Sequence, residues 1–394
     1  MPVIAIGDIG VIDGMMHIGD EAMFEAARLE LGSRGVEIVG VSSVPGESAE
    51  RYGIAAVPRL GFAGLDRDAA AARTRLLVAA ASGTLDLPES DPAASALAAL
   101  RAGKGVFVAG GGNLASRWPV HIHERTTLAA MARALGLPVV VSGQTLGPDL
   151  VETDAAAVAA MMTGAARAAV RESASAALAA SWGAEVRSGV DDASFLGFDA
   201  STVLPQPEGL LVSVSGWFDH RPPAAVEASL ARLVDRAAQV VGGPVRFHAH
   251  FGPLDPAAEP RGDAALHERI RALMSSASEV VPTGDSQHAA ALARSSALLI
   301  TSRYHPAVFA APAGVPVLGL VADEYTAIKL RGALGHWGEP ATVTLDELDG
   351  EAPLAVERLA AGRDRIAAEA SARRPAHRAD YDAWWDDVAE TFRS

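Results

Sequence analysis

The stretch ALLITSRYHPAVFAAPAGVPVLGL, Ala297 to Leu320, decides how the second half of this chain folds. It opens on an apolar run, Ala297 to Thr301, passes a short polar turn, continues through an alanine-rich segment and closes on a second apolar run, Pro316 to Leu320. Continuous apolar runs on either side of a helical segment read as two parallel strands buried on both faces, joined by a helix. Pro306 sits where a helix takes its first proline, since that position needs no amide hydrogen, and this makes His305 the N-cap residue. Gly314 closes the helix, and Pro312 falls in its last turn or kinks it. Arg303, Tyr304 and His305 then occupy the loop between a strand's carboxyl end and a helix's positive end, a place that suits an anion. A guanidinium fork beside an imidazole matches phosphate or carboxylate. The structural alternative is an ion pair for Arg303 and simple capping by His305.

The same alternation runs along the whole chain, so the fold class is α/β. In the first half the strand candidates are Val3 to Ile6, Glu37 to Val41, Gly105 to Ala109, Pro138 to Ser142 and Ala168 to Val170. In the second half they are Leu210 to Ser215, Val245 to His250, Glu279 to Pro282, Ala297 to Thr301 and Pro316 to Leu320. Between the two sets lies GFDASTVLPQPEG, Gly197 to Gly209, where prolines and glycines interrupt any period and mark a linker. The expected organisation is an α/β domain over 1–204, a second over 205–375, and a charged amphipathic helix over 376–394. Trp384 and Trp385 on that last helix are costly to leave wet, so it should dock on a domain.

A chain of 394 residues with 49% hydrophobic content is too long for one ordinary core and long enough for two. Its formal charge of −15 argues against nucleic acid or an anionic membrane surface as partner. A few arginines focused in a cleft still bind a small anion at that net charge. There is no cysteine, which removes disulfides, thiolate catalysis and cysteine-ligated zinc. The N-terminus MPVIAIGDIGVIDG lacks a basic flank and is broken early by Asp and Gly, so it reads as a first strand rather than a signal peptide. No alanine-rich segment is apolar enough to span a bilayer, and a cytoplasmic protein is the expectation.

In open α/β sheets ligands bind beyond the carboxyl ends of the strands, and the residues there are the candidates. GGGNLASRW follows one strand: Gly110, Gly111 and Gly112 let a backbone approach a ligand ahead of a helix start, with Asn113 beside them, although a tight turn explains three glycines equally well. In HIGDEA, Asp20 reads as an N-cap, Glu21 as a first-turn carboxylate, and Gly19 brings the helix start close to a ligand. There Asp20 can accept a proton from a substrate hydroxyl, and His17 can touch substrate. SGQTLGP places Gln144 in a turn, VRES sets Arg171 at a strand end with Ser173 as a possible helix cap, and DDA supplies Asp191 and Asp192, for which capping or a salt bridge are the plain roles. His121 with His123 and His248 with His250 are His-x-His pairs whose members would share a strand face, but neither has an evident third metal ligand. His250 ends a candidate strand and can line a cleft. After the next strand, DEYTAIKLRG offers Tyr325 and Lys329, the latter either solvated or a second positive group for the same anion.

In this order, HIGDEA, GGGNL, SGQTLGP, VRES, DDA, SRYHPAVFAAPAGVPVLGL and DEYTAIKLRG resemble the polysaccharide pyruvyl transferase family, over about residues 5–335. The resemblance implies two Rossmann-like parallel-sheet domains facing a cleft, a GT-B-like architecture, with the acceptor on the first domain and the donor on the second. It implies phosphoenolpyruvate as donor substrate, transfer of its pyruvyl group to a hydroxyl pair of a cell-wall polysaccharide or glycolipid, a pyruvate ketal as product, and no metal or redox cofactor. Arg171, Arg303, His305 and a lysine serve the donor in such a site, with His305 as general acid; Tyr325 stands where the family lysine is usual and Lys329 lies one helical turn later. Lipid-linked acceptors leave peripheral contact with the inner face of a membrane open, and a homo-oligomer is equally open. Two other readings suit the same scaffold: a glycosyltransferase using a nucleotide-sugar, and a non-catalytic sugar or anion binder.

Overall fold

The short β-branched runs pair into two parallel sheets. In the computed structural model, which describes residues 1–199 and 201–393, an eight-stranded sheet has its strands in the order Ala55–Pro58, Ile38–Ser42, Val3–Ile6, Val106–Val108, Val139–Leu146, Arg167–Val170 and Arg187–Ser188. Gly111–Leu114 pairs off this path onto Val139–Leu146. Every pairing in it is parallel. Its central strands VIAI and VFV are buried at every position because helices cover both faces, which is why they read as unbroken apolar runs.

The second sheet has six parallel strands in the order Glu279–Val281, Val245–His248, Leu210–Ser213, Leu298–Thr301, Val317–Val321 and Thr342–Thr344. The stretch Ala297 to Leu320 folds as read: strand Leu298–Thr301, helix Tyr304–Ala310, a 3₁₀ turn Ala311–Ala313 around Pro312, Gly314 at φ 78°, and strand Val317–Val321. A small antiparallel ladder joins Met15–His17 to Phe251–Pro253, with His17 opposite Phe251.

The described residues of 1–12, 23–192 and 379–394 form one compact unit, and those of 13–22 and 193–378 form the other. The break at 192/193 lies upstream of the proline-rich stretch where the sequence placed it. Gly197 to Gly209 holds no helix or strand among its described residues; Ala200 in that stretch and Ser394 in the expected last helix lie outside the described residues. The last helix starts earlier than 376, at Arg363, and runs to Thr391 with Pro375 inside it. Its end is fastened to the first unit: Trp385 is fully buried beside Phe107, and Trp384 Nε1 donates to Ser142 Oγ at 3.0 Å.

Five local expectations change. His305 is not the N-cap of its helix; Arg303 is, with extended backbone, and Pro306 falls third, still within the first turn where no amide is missed. Asp20 is not an N-cap either, because the ladder at Met15–His17 feeds directly into a helix that begins at Ile18. The glycines of GGGNL do not precede a helix start, since Gly111–Leu114 is a strand and the next helix begins at Pro119; Gln144 lies inside a buried strand rather than in a turn. His121 and His123 sit on helix Pro119–Ala134, not on a strand, so they point apart: His121 reaches Asp8 and His123 stacks on Phe62.

Candidate functional site

The ladder and the helix it feeds build a cluster in the second unit. Ile18 N donates to the His250 carbonyl at 3.0 Å, which seats the first turn of helix Ile18–Ser33 beside the end of strand Val245–His248. His17 Nδ1 lies 2.5 Å from Asp20 Oδ2, a pair made by the i,i+3 spacing of a helical start, with the His17 side chain 45% exposed. Gly19 then faces His305 directly. A Cβ added at Gly19 would stand 2.1 Å from His305 Nδ1, so only glycine lets the helix pass this close to the imidazole.

Arg303 follows the carboxyl end of strand Leu298–Thr301, where Thr301 Oγ1 accepts from the Arg303 amide at 2.9 Å. Its Nε and Nη2 clasp the two oxygens of Asp263 at 2.7 and 2.5 Å. Asp263 is buried and also accepts from Phe251 N, so it orients the guanidinium and braces the ladder together. The Arg303 side chain as a whole stays 26% exposed.

His250 is held neutral, well below its ordinary pKa, by burial first and then by the positive charge of His248, His305, Arg303 and His17. That same set of neighbours shows how closely the candidates gather around it. His250 and His305 both pack on Phe309. Lys329, on helix Glu324–Gly335, has its Nζ 3.2 Å from Tyr325 Oη, 4.2 Å from the Tyr325 ring centroid and 5.5 Å from that of Tyr304. It is therefore partly buried on the tyrosine that precedes His305, not a freely solvated lysine. Glu21 is buried in the same first turn. His17, Gly19, Asp20, Glu21, His250, Arg303, Tyr304, His305, Tyr325 and Lys329 thus all belong to one unit.

The remaining candidates belong to the first unit and are buried as a polar network. Arg171 is 1% exposed, with Nη1 on Asp191 Oδ2 at 2.7 Å and Nε on Thr145 Oγ1 at 2.8 Å. Glu172, not Ser173, is the N-cap of the helix that follows. Gln144 Nε2 donates to the carbonyls of Ala109 and Ser142 at 2.6 and 2.9 Å. A Cβ at Gly111 would meet Asn113 Oδ1 at 2.9 Å, and one at Gly143 would meet Asp192 Oδ2 at 2.7 Å, so these glycines make room for neighbouring side chains; Gly112 is half-buried in the same strand. Asp192 accepts from Ser142 Oγ at 2.9 Å, and burial, then the adjacent Asp191 charge, pushes its carboxyl up to about 7.

Asp263 is the residue that sequence reasoning missed. Its only signal was a Gly-Asp pair opening a helix, which reads as a cap. Among the described residues no group of three or more His, Asp or Glu has the arrangement to hold a metal ion, and no helix is long and apolar enough to cross a membrane. A cavity of about 370 Å³ lies elsewhere in the second unit, lined by Val315, Val317, Leu334, Trp337 and Ile366, and contains none of the candidates.

A family model described as polysaccharide pyruvyl transferase matches residues 17–324. Comparison with curated proteins returned no match. Among solved structures, UDP-GlcNAc 2-epimerase from Neisseria meningitidis bound to UDP-GlcNAc is 12% identical over 99% of each chain, with a TM-score of 0.60. The spinosyn forosaminyltransferase is 14% identical over the full length of both chains at 0.56. The glycotransferase of kitacinnamycin is 14% identical over 99% of this chain and 98% of its own at 0.55. At such identities the likeness shows the fold: two α/β domains with parallel sheets, of the GT-B kind.

Proposed function

Because the chain belongs to the polysaccharide pyruvyl transferase family, we propose that it moves the pyruvyl group of phosphoenolpyruvate onto two hydroxyls of a saccharide, forming a cyclic ketal and releasing phosphate. The observation that carries this reading is the seating of His305. Its imidazole is packed against Gly19, with Arg303 two residues before it at a strand's carboxyl end and the His17–Asp20 pair on the same helical turn as Gly19. An acid, a cationic fork and a carboxylate gathered in this way are what the transfer requires.

His305 gives a proton to the methylene carbon of phosphoenolpyruvate, which becomes a methyl group and leaves C2 as an oxocarbenium-like centre. A saccharide hydroxyl oxygen bonds to C2, and its proton passes to the Asp20 carboxylate. The C2–O bond to phosphate then breaks, the electron pair leaving with the phosphate. The second hydroxyl bonds to C2 and its proton goes to the imidazole of His305, which closes the ketal and restores the acid, while the proton held by Asp20 leaves with the phosphate. One donor and one diol give one ketal and one phosphate, with no redox or metal step.

Arg303 is oriented by Asp263 through Nε and Nη2, so its Nη1 edge is the one offered to an anionic oxygen. Lys329 adds a second positive group beside Tyr304, and stabilising the leaving phosphate is its proposed task. The neutral state of His250 keeps a further positive charge away from the acid.

Incubating the protein with phosphoenolpyruvate and a saccharide tests this. Phosphate release is expected, with the saccharide gaining the mass of pyruvic acid less one water, and both vanish in His305→Ala. Consumption of a nucleotide-sugar with no turnover of phosphoenolpyruvate contradicts it.

A further inference from the structure

Val317 and Thr342 are the first residues of their strands, and both line the cavity of about 370 Å³ that the candidate site does not use. Arg303, His305 and the Asp323 to Lys329 segment follow the carboxyl ends of the parallel strands, whereas this cavity lies at the amino ends of Val317–Val321 and Thr342–Thr344. Strand Val317–Val321 has five residues, so at about 3.3 Å per residue the two places are on the order of 15 Å apart across the sheet. Thr342–Thr344 is the outermost strand on that side. Helix Glu324–Gly335 begins at the one place and brings Leu334, and Trp337 after it, to the other.

The lining has two characters. Val315, Val317, Leu334, Trp337, Leu359 and Ile366 make it apolar on one part. Charged side chains complete it: Arg365 Nη1 lies 2.7 Å from Glu369 Oε1, Arg358 pairs with Glu351, and Glu339 adds a third carboxylate. A Cβ at Gly338 would stand 3.1 Å from Glu369 Oε2, so the glycine lets that carboxylate lie against the backbone. The four paired side chains are 36–66% exposed, where an ion pair adds little to stability, so either partner turns to a ligand at small cost.

The size suits a small-molecule site, and the chemistry narrows the class. Three carboxylates against two guanidiniums oppose a phosphate-bearing ligand such as a nucleotide-sugar. A purely aliphatic chain would take water from the charged part without replacing its hydrogen bonds. A neutral saccharide meets both parts, because its hydroxyls donate to carboxylates and accept from guanidiniums while its ring C–H groups cover the apolar residues.

We infer that this cavity is a second saccharide-binding site, which holds neutral sugar units of a glycan remote from the reacting ones. The inference rests on the pyruvyl transfer reading for why a glycan is present, and not for the binding itself. A chain held at both edges of one sheet returns its reacting end as an intramolecular event, which favours long acceptors and leaves short ones unaffected.

The test titrates the full chain by calorimetry with neutral hexasaccharides of glucose, galactose and mannose, beside UDP-glucose. At least one hexasaccharide should bind saturably, and Arg303→Ala should keep that binding. Ala355→Phe, which puts a ring into the cavity, and Glu369→Ala, which removes an acceptor at its rim, should each weaken it about ten-fold. Glu369→Ala leaves the core untouched, so it decides alone if Ala355→Phe does not fold. No hexasaccharide binding, binding that neither substitution weakens, or UDP-glucose binding that Ala355→Phe abolishes would each overturn the inference. In turnover, Ala355→Phe should raise the hexasaccharide KM about ten-fold and leave kcat and the monosaccharide KM unchanged. Hexasaccharide binding weakened by Glu369→Ala, with no turnover of phosphoenolpyruvate, keeps the cavity site and removes the pyruvyl reading. Turnover of phosphoenolpyruvate with a hexasaccharide KM that neither substitution moves does the reverse.

Discussion

Arg171 and Arg303 are built alike and placed differently. Each follows the carboxyl end of a parallel strand, and each pairs with an aspartate. Arg171 is sealed, 1% exposed, with its carboxylate and a threonine hydroxyl for company. Arg303 keeps about a quarter of its side chain in solvent. The same sequence signal therefore has two outcomes: in the first unit the arginine neutralises buried carboxyl groups, and in the second Asp263 fixes its orientation while part of the side chain stays in solvent. Burial, not residue type, separates them.

The widest gap between the two regions should appear in activity. His305→Ala is expected to lower kcat by about 10²–10⁴, the worth of a positioned acid. Gly19→Ala should approach the same loss, since its methyl group must displace the imidazole, while far-ultraviolet dichroism stays that of the wild type. A Gly19→Ala enzyme of normal kcat would break the claim that the helix locks His305.

Stability should separate the arginines in the opposite sense. Arg171→Met takes the guanidinium away from the buried Asp191, and a loss of roughly 3–5 kcal/mol in urea unfolding is expected. Arg303→Ala leaves Asp263 with the Phe251 amide, and the space vacated by the part-exposed Arg303 side chain lets water reach it, so its loss should be smaller, about 1–2 kcal/mol. Equal losses would erase the distinction.

Acid should affect the two units with opposite sign. Asp192 sits at about 7 in the folded first unit, whereas an unfolded aspartate releases its proton near pH 4. Between about pH 4 and 7 the folded state binds more protons there, so this contribution to stability falls as pH rises. In the second unit burial holds His248 at about 3 and His267 at about 4, and the unfolded chain takes up their protons below about pH 6.5. Their contribution falls as pH drops. Hydrogen exchange on acidification from about pH 7 to 4.5 should open the segment 245–270 and tighten 139–146, and Asp192→Asn should abolish the tightening. The smallest effect is Tyr381→Phe, which removes one bond to the Asp192 carbonyl and should cost about 1 kcal/mol of thermal stability.

The central strands of both sheets were legible because buried parallel strands are continuous apolar runs. The strands that escaped are short or partly wet. Ala55–Pro58 is exposed at both ends and only half-buried between them, and Gly111–Leu114 has little intrinsic strand preference and pairs because its neighbour Val139–Leu146 is long. The Met15–His17 ladder depends on a partner far along the chain, and without it Asp20 reads as a cap. Asp263 stands 40 residues before Arg303, a separation no local pattern encodes. The order of motifs carried the family, and the family model covers residues 17–324. What the motifs could not say was which candidates would end up buried.

Thermal unfolding with phosphoenolpyruvate, beside UDP-sugars and GDP-sugars, on the wild type, Arg303→Ala and Arg171→Met, tests the account most directly. A selective rise in Tm with phosphoenolpyruvate, lost in Arg303→Ala and kept from a lower baseline in Arg171→Met, is the predicted result. A rise with a nucleotide-sugar and none with phosphoenolpyruvate would contradict it.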